Sequence, residues 1–408
     1  NATNDTFAGD YESVHGEPPP VDLLRPYLAT ENLVSANVMY SHAAASRHRF
    51  LVGTQLTHDR FEESGMYIVV DEEDEDYGQA YRSTSEKQAT DIGLYAQDEF
   101  VASDELELVL GLRFDHHSSE DAFRGSGSVA PGGIPSVEYE ESSVNPRVAV
   151  RYSPGDRLAF RGSVGTGFRV PFGFSEELHL CSGSPRVWKG DGLRPERSVS
   201  YGVSADYYGE RWTLGASLYR TDIRDKIGLV DASEAADARG YTYEWENIDD
   251  AFVQGIELDA LHEVTAALVL NAYATLAQGK YDNAREDWVG TEHEDASAYI
   301  SRLPKYSAGL GVEYRPGRWN VVVDANLQGP LHIDYFADGE EPTKIKETET
   351  FVLVNTKVSR EMTGGVELFA GARNLTDYVQ EEKHTDDAAF MYAPVYGRVF
   401  YGGIEFGF

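Results

Sequence analysis

The chain has 408 residues, with 69 Asp and Glu against 35 Lys and Arg and a formal net charge of −34. That balance excludes nucleic acid as a partner, because neutralising phosphates takes Lys and Arg. No window approaches the roughly 18 uncharged apolar residues of a spanning helix, which excludes a helical membrane protein. The single cysteine, Cys181, permits no internal disulfide and argues against a stapled secreted domain.

A mean hydropathy of −0.43 is still compatible with a transmembrane barrel, in which only alternate residues meet lipid. In chain order, residues 1–29 read as loop. Gly16-Glu17-Pro18-Pro19-Pro20 and scattered acids are turn chemistry, and Asn1 to Asp10 lacks the apolar core of a signal peptide. From 30–43 onward about fifteen strand-like runs follow. In one, Leu106, Leu108, Leu110, Leu112 and Phe114 alternate with Glu105, Glu107, Val109, Gly111, Arg113 and Asp115. This predicts a lipid-facing Leu set with Glu105, Glu107 and Arg113 toward the lumen. The runs at 198–207, 268–276, 306–314 and 319–327 alternate in the same way. Many reach roughly ten residues or more, the length a tilted strand needs to cross a bilayer. Shorter strands would suit a soluble sandwich.

The connections alternate short and long. Short turns are expected at 44–47, 102–104, 153–156, 208–211, 262–265, 315–318 and 362–365. Long loops are expected at about 62–86, 119–141, 171–195, 224–241, 282–300, 336–347 and 380–394. Short turns at one end and long loops at the other mark a transmembrane barrel, with the long loops extracellular. The acid clusters, such as the DEEDED run Asp71 to Asp76, fall in these loops. They read as solvated charge, with carboxylate binding of divalent cations as the alternative. The last run places Phe400, Gly402, Ile404, Phe406 and Phe408 on one face, which suits a closing barrel strand and a C-terminal assembly signal read by barrel assembly machinery. The fold class expected is therefore all-β, a transmembrane antiparallel β-barrel.

Several motifs inside this frame resemble those of TonB-dependent outer-membrane receptors. Gly165 to His179 (GTGFRVPFGFSEELH) is similar to their GFRAP…EL strand and loop. Gly192 to Ser198 (GLRPERS) is similar to an L-K-P-E-x-S run, and Tyr219 to Ile227 (YRTDIRDKI) to Y-x-T-D-I-x-D-x-I. Glu246-Asn247-Ile248 with Val253-Gln254-Gly255-Ile256-Glu257, and Asn374-Leu375-Thr376-Asp377-Tyr378 followed by Gly397 to Gly402, match further family patterns in order. Barrel-wall reasons for these motifs are at hand. Pro171 ends a strand, Pro195 holds the chain extended before one, Gly255 permits close approach of a lumen side chain, and Asn374 with Asp377 favours a strand-end turn.

The resemblance implies a 22-stranded barrel filled by an N-terminal plug. If Phe408 ends strand 22, about 15 of those strands lie here. Residues 1–29 are then an extracellular loop remnant and residues 30–408 the C-terminal part of the barrel. The plug and the first barrel strands would lie on another or a longer polypeptide. The implied activity is TonB-dependent import of a scarce bulky ligand of the iron–siderophore, haem or cobalamin class, without enzyme activity. A passive or structural barrel, porin or adhesin, is the alternative. No catalytic set, resident metal or cofactor is expected, beyond a transported metal chelate or haem. Haem receptors of the family carry FRAP and NPNL runs around a ligand His. Phe168-Arg169-Val170-Pro171 resembles the first and His179 follows it, but Gly190-Asp191-Gly192-Leu193 departs from the second. Candidate ligand contacts are His179, Trp188, Tyr335 and Tyr392.

Overall fold

The computed structural model describes residues 5–21, 23, 27–44, 47–70, 72, 76–124, 134–170, 187–189, 192–238, 241, 243–285, 288–335, 344–381 and 391–407. Its strands in chain order are β1 (Leu28–Ala44), β2 (His48–Ile68), β3 (Ala80–Val101), β4 (Leu106–Arg124), β5 (Ile134–Tyr152), β6 (Leu158–Arg169), β7 (Val187–Lys189), β8 (Glu196–Tyr208) and β9 (Trp212–Asp231). They continue with β10 (Tyr243–Thr265), β11 (Leu268–Tyr281), β12 (Tyr306–Tyr314), β13 (Trp319–Gln328), β14 (His332–Tyr335), β15 (Lys344–Glu347), β16 (Phe351–Glu361), β17 (Val366–Arg373) and β18 (Val399–Phe406). Among the described residues three helices accompany them: α1 (Asp5–His15), α2 (Glu234–Asp237) and α3 (Glu294–Ser297).

Among the described residues, fifteen strands form one antiparallel meander in chain order, the number expected from the pattern. The remaining three belong to loops: β7 pairs parallel with β10, and β14 with β15 makes a separate hairpin. An unbroken meander puts alternate connections at opposite ends. Every short turn therefore lies at one end and every long loop at the other, as predicted. Glycines with positive φ tighten three of the turns, at Gly155, Gly317 and the Gly364–Gly365 pair. Among the described residues the sheet is open: β1 pairs only with β2, and β18 only with β17.

Ladder registers decide which residues share a face, because directly opposed residues point the same way. Leu112 stands opposite Ala96 and Pro146, Leu108 opposite Phe100 and Val150, and Phe114 opposite Leu94 and Val144. The same face continues through Val203, Leu218, Ile256, Leu276, Tyr306, Leu327 and Val352 to Phe400, Ile404 and Phe406. This is an outward apolar belt, on which Leu110, Leu112, Phe400, Ile404 and Phe406 are exposed. Glu107 and Arg113 take the other face, as expected, while Glu105 sits in the turn before β4. On that inner face Arg113 binds Asp115 at 2.6 Å and Gln55 at 3.2 Å, and Arg161 pairs with Asp206. Tyrosines there lie over cross-strand glycines, Tyr95 over Gly53, Tyr219 over Gly255, Tyr273 over Gly309 and Tyr401 over Gly371. Gly255 thus has the role read for it: a Cβ there would meet the Tyr219 hydroxyl at 2.5 Å and the Leu276 carbonyl at 2.6 Å.

Several expected boundaries move. Residues 62–68 and 80–86 are strand, because β2 stays paired with β3 from Ile68↔Ala80 downward and with β1 from Leu28↔Ser64 downward. Their ladder continues above the apolar belt, where polar residues such as Glu62, Ser64, Thr84 and Glu86 enter the outward face and the alternation that marks a membrane strand fades. Likewise β4 reaches Arg124 and β5 starts at Ile134, inside the expected 119–141 loop, and β9 runs to Asp231. The turn expected at 262–265 falls at residues 266 and 267, since a bulge between Glu263 and Thr265 prolongs β10. The 1–29 segment contains α1, which ends at Gly16 (φ 71°) with its N–H on the Glu12 carbonyl. Phe7, Tyr11 and Val14 of α1 pack on Met66, Ile68 and Ala80 at the loop end of β2 and β3.

Candidate ligand-facing surface at the loop end

The family-like stretches, scattered over some eighty residues of sequence, meet at the loop end of the sheet. Glu196 opens β8 opposite Arg169, the last residue of β6, and the two form a bidentate pair at 2.7 and 2.9 Å. The same carboxylate accepts from Lys226 Nζ at 2.8 Å and the Ile227 backbone N–H at 2.9 Å. Burial pushes the Glu196 carboxyl up, but these donors outweigh it and hold it at about 2. Arg194 grips Asp225 through Nε at 3.0 Å. Asn247 accepts from the Arg194 N–H at 2.9 Å and donates to the Arg194 and Asp225 carbonyls at 2.8 and 2.9 Å. Asp225 holds positive φ there, 56°, a conformation Asp tolerates when its backbone is fixed by such bonds. Asn374 does the same job at the last loop. Its amide donates to the Tyr378 carbonyl at 2.7 Å and accepts from the Tyr378 N–H at 3.1 Å, and the Arg398 N–H donates to Asp377 at 2.7 Å.

Beside the first node the inner wall buries a polar cluster. His117, 2% exposed, contacts Asp91 at 2.7 Å, and Lys189 of β7 reaches Asp121 at 2.6 Å. Ser119 and Tyr139 stand opposite one another on β4 and β5. Neither hydroxyl has a hydrogen-bond partner among the described residues. Burial, with Glu141 adding, pushes the Tyr139 hydroxyl up to about 12 against the opposing effect of Lys189 and Arg197. Among the described residues no group of three or more His, Cys, Asp or Glu side chains is placed to hold a metal ion.

The predicted ligand contacts fall in different places. Trp188 lies in β7, its ring stacked on Tyr241 at 6.0 Å and packed with Val137 and Ala236. Tyr392 packs on Leu331 and Ile333, and its N–H donates at 3.0 Å to Gln380, which is 1% exposed. Burial pushes the Tyr392 hydroxyl up. The Tyr335 backbone ends β14 opposite Lys344, and its side chain is outside the described residues. His179 and Phe408 are outside them altogether. Trp188 and Tyr392 therefore belong to two separate packed clusters. The Glu196 and Lys189 networks were not picked out from the sequence. The hint was there in the motif residues Arg169, Glu196, Asp225 and Asn247, but only the fold shows that they touch.

An open antiparallel meander with an outward apolar belt, a polar inner wall and long loops at one end is the wall of an outer-membrane barrel. Residues 1–375 match the family described as "TonB dependent receptor-like, beta-barrel". The chain belongs to that family, one of receptors and transporters, not of enzymes, found in the outer membrane of Gram-negative bacteria. It is 19% identical over 307 residues to the ferrienterobactin receptor of Escherichia coli K12, a match covering 70% of this chain and 36% of the relative. It is 24% identical over 256 residues to the vitamin B12 transporter BtuB of Vibrio vulnificus YJ016, covering 63% and 36%. Among solved structures, the ferric-catecholate import receptor Fiu of E. coli K12 superposes with a TM-score of 0.68 at 16% identity, covering 93% of this chain and 54% of that one. The ferric yersiniabactin receptor FyuA of Yersinia pestis gives 0.63 at 18%, covering 86% and 50%. The chain thus spans about a third of the length of these curated relatives and about half of these structures.

Proposed function

We propose that this chain is the C-terminal part of the wall of a TonB-dependent importer. In this reading residues 1–29 are the remnant of an extracellular loop and residues 30–408 the barrel portion. The observation that carries it is the open meander with a lipid-facing belt: two unpaired edges in hydrocarbon leave backbone N–H and C=O groups without water, at several kcal/mol each. Strands outside these residues pair with β1 and β18, and a plug domain fills the lumen against the polar inner wall. The TonB system drives release, and barrel assembly machinery reads the β18 face.

The cargo in this reading is a bulky chelate of the siderophore, haem or cobalamin class, and the relatives named for ferrienterobactin and vitamin B12 support its siderophore and cobalamin members. The test is uptake in cells that carry the chain with and without the polypeptide supplying plug and remaining strands. Uptake that needs both that polypeptide and TonB is expected. Uptake indifferent to TonB would instead identify a passive barrel.

A further inference from the structure

The loop end of the wall carries a notch. β5 pairs with β6 only from Arg147↔Gly165 downward, and β8 with β9 only from Arg197↔Arg224 downward. Among the described residues, β4–β5 and β9–β10 rise past those rows as two separate antiparallel pairs, the first to Phe123↔Ile134 and the second to Asp231↔Tyr243. Between them β6 and β8 stop at Arg169↔Glu196. Three strand spacings, about 14 Å, separate β5 from β9. β7 spans that gap. Its residues ladder onto Tyr243–Trp245 of β10, Lys189 reaches Asp121 of β4 at 2.6 Å, and Trp188 packs with Val137 of β5 and with Tyr241.

Where β7 meets β4 and β5, the wall is polar and dry. Asp121 faces Val137, and in the next inward row Ser119 faces Tyr139. Ser119 is 5% and Tyr139 9% exposed, and among the described residues neither hydroxyl meets a hydrogen-bond partner. A buried hydroxyl without a partner penalises the state that buries it, and water restores the missing bond once it is admitted. What holds β7 down is slight by comparison with the barrel ladders. It has three residues, in a parallel ladder, with the Lys189–Asp121 contact and the Trp188–Tyr241 stack beside it.

We propose that β7 is a latch across the notch, which swings off the β4–β5 wall and admits water to the Ser119 and Tyr139 hydroxyls. The Lys189–Asp121 contact and the Trp188–Tyr241 stack hold it shut, and the two dry hydroxyls favour the open form. Shut, the latch ties β4–β5 to β10 over the ends of β6 and β8. Open, it clears the wall above them. The latch opens or stays shut whatever the lumen holds, so the inference stands apart from the import reading.

Hydrogen exchange at the amides of 187–189 reads the latch, in protein isolated from outer membranes into detergent with its wall complete. Ser119→Ala and Tyr139→Phe remove the groups that favour opening. Exchange should slow by about fivefold for each, the size of one hydrogen bond, and by about 25-fold in the pair. Asp121→Asn should speed it. Tyr95→Phe, which removes a hydroxyl bonded to Asn37 at 2.9 Å elsewhere on the inner wall, should leave it unchanged. Ordinary core packing predicts the opposite sign, since truncating a buried side chain loosens its surroundings. Faster or unchanged exchange in S119A/Y139F would therefore overturn the proposal. If that pair does not reach the heat-modifiable folded form, nitration of the unaltered protein decides. Tyr139 should be nitrated well before Tyr67, which is 6% exposed beside Phe123, and a Tyr139 protected as long as Tyr67 refutes the latch.

Discussion

Replacing Leu112 with Arg puts a guanidinium on the lipid side of β4. Leu112 is 54% exposed on that face, between Ala96 and Pro146, neither of which offers a partner. Six residues above the start of β4 at Leu106, it has climbed about 15 Å along a tilted strand, near the middle of a belt about 25 Å tall. At that depth an Arg costs about 2–4 kcal/mol. Leu110→Arg should cost less, because Asp98 lies directly opposite and the new cation can share its carboxylate with His48. Val109→Arg points the other way, opposite Glu99 on the inner face, and should cost under about 1 kcal/mol. Urea unfolding of the three variants in lipid vesicles, read by heat-modifiable gel mobility, ranks them. Equal costs for Leu112→Arg and Val109→Arg would refute the assignment of faces, since a one-residue slip inverts every side chain.

Gly255→Ala should destabilise by about 1–3 kcal/mol through overpacking, and Tyr219→Ala should relieve it only in part, because the Leu276 carbonyl stays 2.6 Å from the new Cβ; the double-variant unfolding cycle checks this. The Glu196 carboxyl is held below its ordinary value of 4.5, so its stabilisation is complete above about 4.5 and is lost as pH falls toward about 2. Hydrogen exchange at 196 and 227 should accelerate in that window in the unaltered chain, and Glu196→Gln should exchange fast on both sides of it. Lys189→Ala removes the 2.6 Å contact with Asp121 and should loosen β7 on β10, seen as faster exchange at 243–245. A protease added to intact cells should cut within the long connections such as 69–79 and 232–242, leaving the 102–105 and 315–318 turns whole.

Period-two alternation was enough to read the membrane wall from the chain. Leu106 to Phe114 and Phe400 to Phe406 declare their faces because each strand must present one side to hydrocarbon, a constraint applied residue by residue. The alternating short and long connections fixed the ends in the same local way, and the turn signals at Gly155, Gly317 and Gly364 needed no partner to be legible. Above the belt that constraint disappears. Polar residues such as Glu62, Ser64, Thr84 and Glu86 enter the outward face of β2 and β3, so residues 62–68 and 80–86 look like loop until their ladder is seen. Short loop elements such as α1, β7 and the β14–β15 hairpin depend on what they pack against, as Phe7 does on Met66 and Trp188 on Tyr241. The contacts of Arg169 and Lys226 with Glu196, and of Arg194 and Asp225 with Asn247, were decided by register between strands. A register joins residues tens of positions apart, and no local pattern encodes it.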